Sequence, residues 1–252
     1  MKISLVQFDP VWQNKKESQD KILKLLEDSK GRAETYIFPE MTLTGFTMKA
    51  REYAEELQGE SSGFFQKLSG GLHADIIFGM IEADNDNYYN ALVHIKDGKV
   101  FKTYRKIHPF SYSGEDKYYQ RGKLAVTTQL GNFTAGLSIC YDLRFPELYR
   151  LYAKERAGLM ISIANWPAKR IEHWKHLLKA RAIENQCYMA GVNRSGRDPG
   201  NDYNGCSAVY GPSGEEVFIA DHQEQTALIE LNVELVDEQR SKYPFLNDIY
   251  LI

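Results

Sequence analysis

The sequence predicts an α/β protein in which helices cover mixed sheets, with residues 1–252 forming one domain. Three observations carry this expectation. Strand-length apolar segments alternate with segments whose apolar residues recur every three to four positions, turn dipeptides join some neighbouring strands directly, and neither a linker nor an internal repeat interrupts the chain. The 252 residues are ample for a buried core, and 43% hydrophobic with 26% charged residues is an ordinary globular composition.

Residues 2–8 read as a strand, and the stretch from Lys15 to Lys30 places Ile22, Leu25 and Leu26 at helical spacing before Gly31. Thr35–Phe38 is a second strand, stopped by Pro39, and Ala74–Ala83 is a third after a helical segment. Asp97-Gly98, a dipeptide that accepts the positive φ of a tight turn, joins Tyr89–Ile95 to Lys99–Arg105 as a hairpin. Further strands are expected at Phe133–Ile139, Gly158–Ala164 and Cys187–Val192. A helix after Pro146 separates the first two, and a helix near Glu172–Gln186 separates the last two. The latter carries Ile171, Trp174, Leu178, Ala182 and Ile183 on one broad apolar face. A second hairpin around Pro212-Ser213-Gly214, a strand at 227–231 and a short helix lead into an aromatic tail at 243–252.

Composition excludes several functions. The 31 basic against 34 acidic residues leave a charge of −3, without the cationic excess that nucleic-acid binding needs. Cys140, Cys187 and Cys206 are odd in number and widely spaced, which fits neither a disulfide framework nor a CxxC zinc site and points to a reducing cytoplasm. The start MKISLVQFDP reads as neither a signal peptide nor a membrane anchor, and no later segment approaches spanning length. His173 and His176 have metal-compatible spacing but no convincing third ligand, so no metal is expected. GxSxG, GxGxxG and Walker sequences are absent.

Three reactive side chains share one context: Glu40, Lys106 and Cys140 each follow the carboxyl end of an expected strand. In α/β folds ligands bind in the crevice beyond those ends. A thiol attacks a carbonyl or nitrile carbon as the thiolate; a carboxylate can take its proton and an ammonium can stabilise the resulting anion. Each residue also has a plainer role: Cys140 as a small buried hydrophobe, Glu40 as a helix cap, Lys106 as an edge-strand charge.

FPEMTLTGF (Phe38–Phe46), YRKIHPF (Tyr104–Phe110) and LSICYDLRFPELYR (Leu137–Arg150) resemble, in order and spacing, the three signature segments of the nitrilase superfamily of carbon-nitrogen hydrolases. The resemblance covers nearly the whole chain. It implies a four-layer α-β-β-α sandwich with two mixed sheets, a homodimer and a small-molecule amide substrate; with hydrogen bonds and an ammonium to polarise the carbonyl and no ligand cluster in the sequence, no cofactor is expected. It makes Glu40 the general base, Lys106 the ammonium and Cys140 the nucleophile, with a second glutamate at Glu115 or, in another loop register, Asp116 in its place. Residues 164–196 resemble the branch of bacterial omega-amidases that cleave 2-oxoglutaramate, with deaminated-glutathione amidases as neighbours; a nitrilase and a catalytically silent binding subunit are the alternatives.

The expected reaction passes through a thioester, with the backbone N–H of Tyr141 and Lys106 facing the oxyanion. Asp142 and Arg144 are expected to fix the turn after Cys140, as second partners to the site or as a structural ion pair. Asn165 and Trp166, after the strand at 158–164, are placed beside the crevice, although Trp166 also suits a core. Arg170 is a candidate for binding a distal substrate carboxylate or a surface helix cation.

Overall fold

A computed structural model describes residues 1–29 and 31–251. Its first half runs β1 (Lys2–Gln7), α1 (Lys15–Leu25), β2 (Thr35–Ile37), α2 (Ala50–Tyr53), α3 (Glu60–Leu72), β3 (Asp75–Asp84), β4 (Asn87–Lys96) and β5 (Lys99–Arg105). The second half runs β6 (Thr127–Leu130), β7 (Phe133–Ile139), α4 (Pro146–Lys154), β8 (Leu159–Ala164), α5 (Ile171–Asn185), β9 (Tyr188–Asn193), β10 (Ser195–Arg197) and β11 (Asp202–Asn204). It then closes with β12 (Ala208–Tyr210), β13 (Glu216–Ile219), β14 (Gln225–Glu230) and α6 (Val233–Lys242).

Two six-stranded sheets result, ordered β14-β1-β2-β3-β4-β5 and β13-β12-β9-β8-β7-β6, with β10-β11 as a separate hairpin. Each is mixed: β1, β2 and β3 are parallel in the first, β7, β8 and β9 in the second, and the flanking pairs are antiparallel. Alternation along the strands decides the layering. Ile3, Leu5, Ile37, Ile77, Leu92 and Tyr104 join the cluster shared with the second sheet. Their neighbours Val6, Tyr36, Phe38, Ile76, Phe78 and Val93 turn the other way, onto Ile22 of α1 and Phe65 of α3. Across the middle β1 packs on β9 and β4 on β7, while α4 and α5 cover the second sheet's outer face. This is the expected four-layer α-β-β-α sandwich, and none of the described helices is long and apolar enough to cross a membrane.

The expected tight turn forms at Asp97 and Gly98, both at positive φ (+49° and +68°). Other elements depart from expectation for local reasons. Helix α1, capped by Asn14 accepting from the Glu17 amide, ends at Leu25, short of the expected Lys30, which lies outside the described residues. Cys187 belongs to the cap of α5: Gln186 is left-handed and the Cys187 N–H bonds the Ala182 carbonyl at 3.3 Å, so β9 starts one residue late. Ile183 leaves the apolar face of α5 and is 49% exposed, because Gly214 of the β12–β13 turn rather than the core lies against it. The β6–β7 and β10–β11 hairpins were not expected. In the tail, Phe245, Tyr250 and Leu251 stay exposed instead of covering the chain's own core, although Leu246 reaches it; Ile252 lies outside the described residues.

Candidate active site

Glu40 stands on a turn immediately beyond β2. That turn is clamped to β3 by Phe38 N–H to Ile77 O at 2.8 Å, Thr42 N–H to Gly79 O at 2.9 Å and Gly79 N–H to Thr42 Oγ1 at 2.9 Å. The approach is so close that a Cβ on Gly79 would sit 2.4 Å from the Met41 nitrogen and 2.8 Å from the Glu40 Cα. Lys106 directly follows β5, its N–H on Asn90 O at 2.9 Å and its carbonyl accepting from Gly122 N–H at 2.8 Å. Cys140 directly follows β7, sits in the left-handed region at φ +48°, and opens a 3-10 turn that runs through Arg144. A non-glycine residue held there is a local strain that aims the side chain away from its strand.

The sandwich brings these ends together. Lys106 Nζ lies 2.8 Å from Glu40 Oε1 and 2.9 and 3.1 Å from the two oxygens of Glu115, and all three side chains are buried. Glu115 also accepts from Phe110 N–H at 2.5 Å, whereas Asp116 faces solvent, which fixes the loop register on Glu115. Asn90 Nδ2 reaches Glu40 Oε1 at 2.7 Å and Glu115 Oε1 at 2.8 Å. Burial pushes the Cys140 thiol well above its ordinary range, and its hydrogen bond and proximity to Glu40 add to this against the pull of Lys106. Burial pulls the Lys106 ammonium down, but Glu115, Glu40 and Cys140 outweigh it and hold it well above the usual lysine range. Burial likewise raises Glu115, with Lys106 opposing. The arrangement sets a thiol beside a carboxylate and an ammonium at one point of the fold.

Asp142 does not pair with Arg144. Its buried carboxylate accepts from Tyr104 OH at 2.7 Å, Ile139 N–H at 3.0 Å, and the His108 N–H and Nδ1 at 3.0 and 2.8 Å, tying the Lys106 loop to the Cys140 turn. Arg144 instead lies 4.9 Å over the Trp166 ring, with Nη2 3.2 Å from His173 Nδ1. Beside Cys140 opens a cavity of about 160 Å³ walled by Phe46, Tyr141, Trp166 and Tyr203, with Arg144 and Arg170 as its cations beside Lys106. Arg170 sits 5.4 Å over the Phe110 ring, and among the described residues neither guanidinium has an acidic partner. Tyr141 is the second residue of its turn, where a backbone N–H has no intrahelical acceptor.

Asn165 and Trp166 do border the cavity, but their polar groups are largely engaged. Asn165 gives its N–H to Glu40 Oε2 at 2.8 Å and Nδ2 to Glu40 O at 2.7 Å, and Trp166 gives Nε1 to Arg170 O at 2.8 Å. His176 Nδ1 turns back to Glu172 O on its own helix, away from His173. Cys187 is buried, its thiol pushed up to about 12 by desolvation. Sequence reasoning missed Asn90, whose signal was a lone amide on the inward-facing side of β4 in register with Leu92, and Tyr203, carried by the unforeseen β10–β11 hairpin.

Residues 2–241 match the family model described as carbon-nitrogen hydrolase. The chain is 31% identical over 250 residues to 2-oxoglutaramate amidase of Bacillus subtilis, covering 98% of this chain and 96% of that protein. It is 33% identical over 251 residues to omega-amidase YafV of Escherichia coli K12, with the same coverage. It superposes with TM-score 0.94 and 29% identity on the crystal structure of a CN-hydrolase superfamily protein of Xanthomonas campestris that has an arsenic adduct in its active site, over 100% of this chain and 98% of that one. With the full length matched and a thiol, an ammonium and two glutamates meeting at one cavity, this chain belongs to the carbon-nitrogen hydrolase family.

Proposed function

We propose that the protein is an omega-amidase that hydrolyses a short amide bearing a distal carboxylate, such as 2-oxoglutaramate, to the acid and ammonia. The observation that carries this reading is the cavity lining, which joins Cys140 and Lys106 to two guanidiniums, Arg144 and Arg170, that have no acidic partner among the described residues. The names of the Bacillus and Escherichia relatives support the same substrate class.

In this mechanism Glu40 takes the Cys140 proton as sulfur attacks the amide carbon, and the oxyanion meets Lys106 and the Tyr141 N–H. Glu40 returns the proton to the departing ammonia, which leaves a thioester, and then activates the water that releases the acid. Glu115 keeps Lys106 in place. Arg170, with Arg144, receives the distal carboxylate, and Asn165 and Trp166 shape the acyl pocket. No metal or organic cofactor takes part. The three free thiols suit a cytoplasmic enzyme, the charge of −3 argues against a nucleic-acid partner, and the exposed tail supports a homodimer.

Ammonia release from a panel of amides and nitriles tests the reading. 2-Oxoglutaramate should be the faster substrate at equal concentration, and Arg170→Ala should raise its KM far more than it lowers kcat while relatively sparing uncharged amides. Faster hydrolysis of neutral aliphatic amides or nitriles would sink the substrate class.

A further inference from the structure

Asn90 bonds both carboxylates of the site and the backbone of Lys106, and belongs to none of the signature segments. Register places it there. On β4, Ala91 pairs with Arg105 of β5, so Asn90 lies opposite Lys106 and its carbonyl takes the Lys106 N–H at 2.9 Å. Its side chain points between the sheets and gives Nδ2 to Glu40 Oε1 at 2.7 Å and to Glu115 Oε1 at 2.8 Å. Both donor hydrogens are thereby used on carboxylates that share one ammonium.

The other end of the amide has no such partner. Asn90 Oδ1 is buried and accepts no hydrogen bond among the described residues, an unmade interaction that destabilises a fold. Turning the amide over would bring Oδ1 against two carboxylate oxygens, a still worse arrangement, so the orientation is fixed by the glutamates. We propose that Asn90 is a positioning residue that holds Glu40 and Glu115 as a pair of ionised carboxylates around Lys106, so that Glu40 stays free to take the thiol proton. This rests on the amidase reading only in naming Glu40 as the base.

The physical alternative is a proton. Two buried carboxylates this close repel, and they can relax either through a donor that bridges them or by binding one proton between them. A proton on the pair removes the base. The groups that bear on the pair are Lys106 from the end of β5, Cys140 from the turn after β7, Asn165 from beyond β8, and the buried phenols of Tyr119 and Tyr203. Tyr119 gives its hydroxyl to Thr47 O and Tyr203 gives its own to Asp198, so neither replaces the amide as a donor to the pair.

The test uses two side chains of one shape. Asn90→Val fills the space without a donor, and Asn90→Thr adds a single hydroxyl to the same outline. For each variant two pH profiles are measured, kcat/KM for the amide that the wild type hydrolyses and the rate of Cys140 alkylation by iodoacetamide. The acid limb should move up by about one pH unit or more in Asn90→Val and by less in Asn90→Thr, with both variants approaching each other at alkaline pH. Identical profiles for Val and Thr, or a uniform loss with the limb unmoved, would overturn the proposal. If Asn90→Val does not fold, Asn90→Ala against Asn90→Ser makes the same comparison. A wild type that hydrolyses no amide would refute the amidase reading alone, because the alkylation profiles still report on Asn90.

Discussion

A methyl group cannot form a thioester, so Cys140→Ala is expected to abolish ammonia release while circular dichroism and melting temperature stay near wild type. Lys106→Ala and Glu40→Gln should each slow turnover by roughly a hundredfold or more, the usual effect of losing one oxyanion donor or one general base. Folded Lys106→Ala enzyme with unaltered kinetics would remove Lys106 from the chemistry. At this scale the sequence was most informative where residues end strands. Glu40, Lys106 and Cys140 could be placed because each follows an expected strand, and the structure brings the first two within 2.8 Å of each other. Asn90 could not be placed, because it lies inside a strand and its meaning depends on partners 50 and 25 residues away. The pairing of Asp142 with His108 and Tyr104 in place of Arg144 was hidden for the same reason, 34 and 38 residues separating those partners.

Elements hold the site through close backbone approaches, and Gly79 of β3 is the sharpest. Its missing side chain lets the strand lie against the turn that presents Glu40, and the atoms a methyl would meet are backbone, which cannot swing aside. Gly79→Ala is therefore expected to cost about 1–3 kcal/mol of stability and to lower kcat more than it raises KM, measured by denaturant melts and steady-state kinetics. An unchanged kcat in folded Gly79→Ala would mean that the Glu40 turn tolerates displacement. Strands with strong alternation and the Asp97-Gly98 turn were readable from local pattern. Among the short strands β2 was readable from its apolar run before Pro39, but β6, β10 and β11 were not, each carrying three or four residues, too few for periodicity to separate them from loop.

For the whole molecule, the apolar groups left at the surface make an assembly prediction. Phe245, Tyr250 and Leu251 extend from the body with Tyr250 at 91% and Leu251 at 93% exposure, more apolar tail than a free monomer gains from leaving wet. Light scattering should give a particle of at least twice 28.9 kDa, and removal of residues 243–252 should shift it toward the monomer. A 28.9 kDa particle at assay concentration would refute this. Layer order was legible from resemblance, and mixed sheets from pattern alone. Which sheet received which strand was not, because neighbours such as β1 and β14 are chosen by packing of the finished sandwich.

That pairing sets an order of events in time. Lys2 of β1 is matched with Glu230 of β14, so β1 gains one of its two partners only after every other strand of both sheets has been made. Asn165 likewise reaches back 125 residues to grip Glu40. Contacts so distant along the chain close late, after the entropy of a long loop has been lost. A nascent or refolding chain thus regains helical signal well before it can release ammonia, and the appearance of activity marks the last step of folding rather than its progress.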